Sequence, residues 1–209
     1  MGKPTLDQCE GSINHFSHQH PLQLYNHSTL QISTHVTCSG CHDEASGSMY
    51  HCSICKYYLH KKCSEMPQKI THPFDQEHVL CLLEKPKYPE GIFNCDACGQ
   101  KGGGFSYHCE TCGTDLHILC ASLPIHFNHH CHVHQLTLSF SPAYPKKSFH
   151  CGICQCLGSN VWFYRCSSCE FDVHLSCVSA LRKPQVQQPT SSMTNYINNF
   201  QNPMPQQIG

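Results

Sequence analysis

One twelve-residue pattern limits what this chain can fold into. It reads CSICKYYLHKKC from Cys52 to Cys63, CETCGTDLHILC from Cys109 to Cys120 and CSSCEFDVHLSC from Cys166 to Cys177. Each copy is C-x2-C followed by four residues and then H-x2-C. A C-x2-C turn aims two thiolates at one point, and a His and a Cys three apart share one face of a helical turn. Identical internal spacing in three copies makes metal ligation the first expectation.

A second C-x2-C pair stands upstream of each copy: Cys38/Cys41, Cys95/Cys98 and Cys151/Cys154. The intervals Cys38 to Cys95 and Cys95 to Cys151 are 57 and 56 residues, so the chain is a tandem array of three units. Each unit opens on a His followed by a short apolar run: His20 before Leu22, His78 before Leu80, His134 before Leu136. Downstream of the last Cys, His72 closes the first unit and His129 the second, with His130 beside it. The third unit has no such His. Cys156, Cys131, His132, a water or an empty position are the alternatives there, and a three-ligand zinc would be the layout of a catalytic site with Glu170 nearest as a base.

Nineteen Cys and nineteen His in 209 residues leave little apolar surface to offset chain entropy, so the fold must be stapled. Disulfides suit secreted chains, but the first twenty residues carry no apolar signal segment, the Cys count is odd, and histidines interleave at ligand spacing. Zinc in a reducing, intracellular compartment (cytoplasmic or nuclear) is the expectation, at about five or six ions per chain. No apolar run reaches the roughly 18 residues of a transmembrane helix. Fifteen thiolates and six zinc ions would move the net charge from −1 to about −4, which argues against general nucleic-acid binding. The basic pairs, such as Lys61-Lys62 and Lys146-Lys147, form no stripe.

The expected fold class is a set of small α+β zinc-stabilised modules, each with short β-hairpins and one short helix, three in tandem. The expected boundaries are a flexible leader at 1–14, modules at 15–72, 73–130 and 131–181, and a disordered Gln/Asn/Pro-rich tail at 182–209. A Tyr two before each second knuckle (Tyr50, Tyr107, Tyr164) is expected on a strand and in a small core.

This ligand order, with the strand Tyr and the MP or LP after the last Cys, resembles the C1 zinc finger. It resembles more closely the divergent C1 (DC1) domain of the plant cysteine/histidine-rich C1 family. The resemblance implies a cross-braced pair of zinc sites per module. Cys38, Cys41, His60 and Cys63 would form one and His20, Cys52, Cys55 and His72 the other. Module 2 would use Cys95, Cys98, His117 and Cys120, then His78, Cys109, Cys112 and His129. Module 3 would use Cys151, Cys154, His174 and Cys177, then His134, Cys166 and Cys169. Spacing alone leaves a sequential pairing open. The family further implies a non-enzymatic protein-interaction adaptor in signalling, stress or hormone response.

The Gln-Gly pair that C1 domains use for diacylglycerol is absent; the positions hold Ser48-Met49, Phe105-Ser106 and Trp162-Phe163. That argues against diacylglycerol, and these side chains are expected either in the core or as apolar tips for weaker membrane contact. A lipid or nucleic-acid module, and a redox-responsive zinc protein or disulfide reductase, are the rival classes.

Overall fold

The computed structural model describes residues 11–26, 36–141, 144 and 147–178. The tail read at 182–209 lies outside them, as do residues 1–10. The described residues fall within one compact unit, and the same small sheet is built in it three times.

In module 1 the sheet order is β1 (Ser12–Ile13), β2 (Leu22–Asn26), β3 (Ser48–His51) and β4 (Tyr58–His60), followed by helix α1 (Lys61–Ser64). Module 2 repeats it with β5 (Lys69–His72), β6 (Asp75–Leu83), β9 (Ser106–His108), β10 (Asp115–His117) and α2 (Ile118–Ala121). Between β6 and β9 it adds the hairpin of β7 (Phe93–Asn94) and β8 (Lys101–Gly102) around the first knuckle. Module 3 has β11 (His126–Phe127), β12 (Leu136–Ser139), β15 (Phe163–Cys166), β16 (Phe171–His174) and α3 (Leu175–Val178), with the hairpin of β13 (Ser148–His150) and β14 (Leu157–Ser159). In module 1 that hairpin is reduced to the bridge between Thr37 and Glu44.

Register shows where each repeat begins. Ser12 pairs with Gln23, Lys69 with Cys81 and His126 with Thr137; the next residues pair Ile13 with Leu22, Ile70 with Leu80 and Phe127 with Leu136. The segment after each helix is therefore the edge strand of the following sheet. The boundaries expected at 72/73 and 130/131 leave β5 and β11 on the wrong side, and Ser12–Ile13 is a paired strand instead of free leader. Proximity in sequence to a preceding Cys does not decide ownership; the backbone hydrogen bonds do.

Each sheet buries its apolar face in a small core. Leu22, Met49 and Leu59 are buried in module 1, Leu80, Tyr107 and Leu116 in module 2, and Leu136, Tyr164 and Val173 in module 3. The expected strand tyrosines also tie the linkers. Tyr107 Oη donates to Pro67 O and Tyr164 Oη to Pro124 O, both at 2.7 Å. That gives the MP and LP dipeptides a physical role: the carbonyl before each new edge strand is held by the next module's core.

The modules touch through one repeated joint. Phe105 N donates to Gly40 O, and Trp162 N donates to Ala97 O, both at 2.7 Å; each acceptor lies in the first knuckle of the preceding module. The Phe105 ring lies against His15 and Phe16 of module 1, and the Trp162 ring stacks on His72 at 5.0 Å and meets Phe74 at 5.3 Å in module 2. A Cβ on Gly104 would sit 2.1 Å from Gly40 O, so glycine is required for this approach. The corresponding residue of module 1, Ser48, is exposed. Met49, Phe105 and Trp162 are all buried, so core and joint packing account for them and no membrane tip remains at these positions.

Two acidic residues anchor the Pro-rich segment before the first knuckle. Tyr88 donates to Asp115 and Tyr144 to Asp172, and the same carboxylates meet His108 Nδ1 and Arg165 Nη1. These buried charges are paired, as burial demands.

Candidate metal centres

The local fold of every knuckle brings two sulfurs together. The N–H of the first Cys donates to the carbonyl five residues on: Cys38 to Asp43, Cys52 to Tyr57, Cys95 to Gln100, Cys109 to Thr114 and Cys151 to Cys156. The residue after the second Cys takes a left-handed conformation at His42, Gly99, Gly113, Gln155 and Glu170. Glu170 is thus the exposed turn residue of its knuckle and not a base aimed at a site. Backbone N–H groups then point at thiolates: His60 N to Cys38 Sγ, His117 N to Cys95 Sγ, and Ile54 N and Cys55 N to Cys52 Sγ, each 3.3 Å.

The first site of each module forms as the resemblance implied. Cys38, Cys41, His60 and Cys63 converge, as do Cys95, Cys98, His117 and Cys120, and Cys151, Cys154, His174 and Cys177. In all three the imidazole presents Nδ1. The Nδ1 to sulfur distances are 3.4 and 3.9 Å for His60, 3.4 and 3.8 Å for His117, and 3.4 and 3.9 Å for His174. A tetrahedral zinc, with Zn–S about 2.3 Å and Zn–N about 2.0 Å, has S···N edges of about 3.5 Å. The donors fit. The pairing of first knuckle with H-x2-C is interleaved, which closes the sequential alternative.

The surroundings hold these rings in the ligating orientation. His117 Nε2 lies 3.3 Å from Lys101 O, so the proton sits on Nε2 and Nδ1 is free to bind. Phe93 and Phe149 pack on the His117 and His174 rings at 5.0 Å. A Cβ on Gly102 or Gly158 would meet those rings' Nε2 at 2.5 or 2.6 Å. This explains the glycines and the apolar residue two before each first knuckle.

Electrostatics divides each thiol cluster: contacts with Cys38 and Cys41 push the Cys63 thiol far above its ordinary range, and contacts with Cys95 and Cys98 do the same to Cys120, while their neighbours are driven to the anionic form. Hydrogen bonds with Cys41 and Cys63 hold the Cys38 thiol far below its ordinary range, and Cys120 and Cys95 do the same for Cys98. Burial opposes ionisation of Cys154, but hydrogen bonds from the Cys156 N–H, His174 and Cys151 bring it down to about 6. Contacts with Cys38 and Cys41 raise His60 to about 10. Thiolates crowded against an imidazole are the donor set a divalent cation satisfies.

The second site differs from the expectation. Cys52 and Cys55 meet His20 and His18, and Cys166 and Cys169 meet His134 and His132. His20 Nδ1 is 3.3 Å from Cys55 Sγ, and His134 Nδ1 is 3.1 and 3.8 Å from Cys169 and Cys166 Sγ. The fourth donor comes from two residues before the opening His, not from downstream. His18 Nε2 and His132 Nε2 are buried without a hydrogen-bond partner, the state expected of ligands awaiting an ion. The supposed gap in module 3 is therefore filled by His132, one of the alternatives left open by the sequence.

His72 and His129 are elsewhere. His72 Nδ1 accepts from Phe74 N at 3.1 Å while its ring stacks on Trp162; His129 Nδ1 accepts from Cys131 N at 3.2 Å. His15 does the same with Ser17 N at 3.4 Å. These three histidines are equivalent turn residues at the start of each module. The missed signal was an H-x-H-x-L string, His18 to Leu22 and His132 to Leu136, present in two copies.

In module 2, His78 stands two residues before Leu80, the register position that His20 and His134 hold before Leu22 and Leu136, and Cys112 N donates to Cys109 Sγ at 3.5 Å on the facing knuckle. Of the surplus cysteines, Cys81 and Cys131 are half-buried and Cys156 is exposed; Cys9 lies outside the described residues.

Comparison with known proteins agrees with the threefold repeat. The family model described as the C1 domain matches residues 16–64, 74–121 and 130–178. A stretch of 57 residues is 37% identical to a protein of Arabidopsis thaliana named probable nucleoredoxin 1; it covers 27% of this chain and 9% of that protein. No solved structure matches.

Proposed function

The chain belongs to the C1-domain family, and from that premise we propose that it is a non-enzymatic zinc protein whose three modules form one rigid surface for binding other proteins in intracellular signalling. Six zinc ions per chain fill the paired sites. The observation that carries this reading is closure. Five of the groups offer four protein donors each, and a zinc with four protein ligands has no position left for substrate or attacking water. The metal then supplies folding energy and fixes the knuckles, and the repeated joints turn three small units into one platform.

Protein contact suits the surface better than lipid. Exposed apolar side chains are scattered over several knuckles and turns, among them Ile54, Ile153 and Val133, and no helix of the described residues is long and apolar enough to cross a membrane. The name of the Arabidopsis protein raises a disulfide-reductase reading. Its support is weak, because the C-x2-C pairs here sit on β-turn knuckles inside metal groups and the strand pairs of the described residues are all antiparallel, without the βαβ setting of a thioredoxin motif.

The test uses the full zinc-loaded chain. A partner captured by crosslinking and then purified should bind saturably. Binding should persist when Cys9, Cys81, Cys131 and Cys156 are all changed to Ser, and vesicles containing diacylglycerol should not retain the protein. Retention on vesicles with no saturable protein partner would overturn the reading, as would binding that disappears with the four cysteines.

A further inference from the structure

The second site of module 2 departs from its two counterparts at two positions together. In modules 1 and 3 the upstream donor is an imidazole covered by an aromatic ring. His18 stacks on Tyr57 with centroids 4.3 Å apart, and His132 stacks on Phe171 at 4.5 Å. In module 2 the residue two before His78 is the exposed Gln76, and the residue in the ring position is Thr114.

The chain is also one residue longer here. His72 to His78 spans six residues, whereas His15 to His20 and His129 to His134 span five. The extra residue lets β5 and β6 close on the two-residue turn Pro73-Phe74, with His72 paired to Asp75. That pairing carries Asp75 to the place the upstream histidine occupies elsewhere. Asp75 Oδ1 accepts from Glu77 N and His78 N at 3.1 and 3.2 Å, which fixes the carboxylate. Oδ2 is turned inward, 2.7 Å from His78 Nδ1 and 3.4 Å from Cys112 Sγ. Thr114 Oγ1 lies 3.1 Å from the same sulfur, a hydroxyl where the other modules place a ring.

We propose that Asp75 Oδ2 is the fourth donor of a zinc site completed by His78, Cys109 and Cys112, and that this site exchanges its ion faster than the other five. The inference rests on the zinc reading above and adds a donor type to it. A carboxylate is a harder ligand than imidazole or thiolate, so it contributes less to holding a borderline-soft ion against a competing chelator. Among the described residues no aromatic ring stacks on Asp75 or His78, and Cys112 is exposed. Five sites are built to hold the fold, and the sixth can trade metal without dismantling the module, whose first site is separate.

Cadmium-113 resonance on the full chain tests the donor directly, because the shift separates sites by their sulfur, nitrogen and oxygen donors. The expected spectrum has three groups: three sites with three sulfurs, two with two sulfurs and two nitrogens, and one further upfield with an oxygen. Asp75→His should move that single resonance into the middle group. In the zinc-loaded protein a chelator should remove one ion at least about tenfold faster than the rest, and Asp75→His should abolish that early step. Six resonances without an upfield member, or an early step unchanged by Asp75→His, overturn the role of Asp75 while leaving the zinc reading standing. Failure to bind any metal overturns both.

Discussion

Stripping the metal from this protein is expected to unfold all three modules. Seven residues of the buried core are cysteines, among them Cys38, Cys63, Cys95 and Cys151, and without an ion each group becomes a cluster of thiols and thiolates with nothing to bridge them. Binding to a structural zinc site is worth roughly 10–16 kcal/mol in small domains. That matches or exceeds the 5–15 kcal/mol by which a whole domain is ordinarily stable. The helices cannot hold by themselves, because each is a single four-residue turn, far below the length at which an isolated helix is stable. Circular dichroism after chelation should show loss of the sheet signal, restored on adding zinc. A near-native spectrum in metal-free protein would mean the core suffices alone.

The second large effect is expected at Trp162. It is the single Trp of the chain, 2% exposed, and it sits where module 3 meets module 2. Its ring contacts His72, Phe74 and Phe140, and its N–H is held by Ala97 O. Replacing it by Ala removes a large buried side chain from between two modules that cannot collapse into the gap, at a cost of about 3–5 kcal/mol. Denaturant unfolding should show that loss, and amide exchange at residue 162 should accelerate because the bond to Ala97 is no longer sheltered. Trp162→Phe keeps a ring, as Phe105 does at the other joint, and should recover most of the stability. If Trp162→Ala costs under about 0.5 kcal/mol, which is the range of an ordinary surface substitution, the modules are not coupled there.

Much of this fold could be read from spacing because the chemistry repeats. Two thiolates on a C-x2-C turn, and a His and Cys three apart, must converge whatever surrounds them, so the Cys ligands and His60, His117 and His174 were legible. Tyr107 and Tyr164 were placed on strands and in the core for the same reason. The closing histidines were not legible. His72 and His129 stand between two modules, and linear sequence does not say which neighbour claims a linker; the pairing of β5 with β6 and of β11 with β12 decides it. Asp75 was hidden by its type, since a search for His and Cys passes over a carboxylate. The joints were hidden because Phe105 and Trp162 look like core residues of their own modules. Only the contrast with exposed Ser48, in the module that packs its equivalent position against nothing described, shows that they serve a neighbour.

The upstream origin of the fourth donor is the centre of the account, and zinc counted by native mass spectrometry tests it most directly. Full-length protein should carry six ions. His18→Ala and His132→Ala should each carry five ions, whereas His72→Ala and His129→Ala should each keep six. Five in the His72 or His129 variants, with six retained in the other two, would contradict it and return the closing ligands to the downstream side.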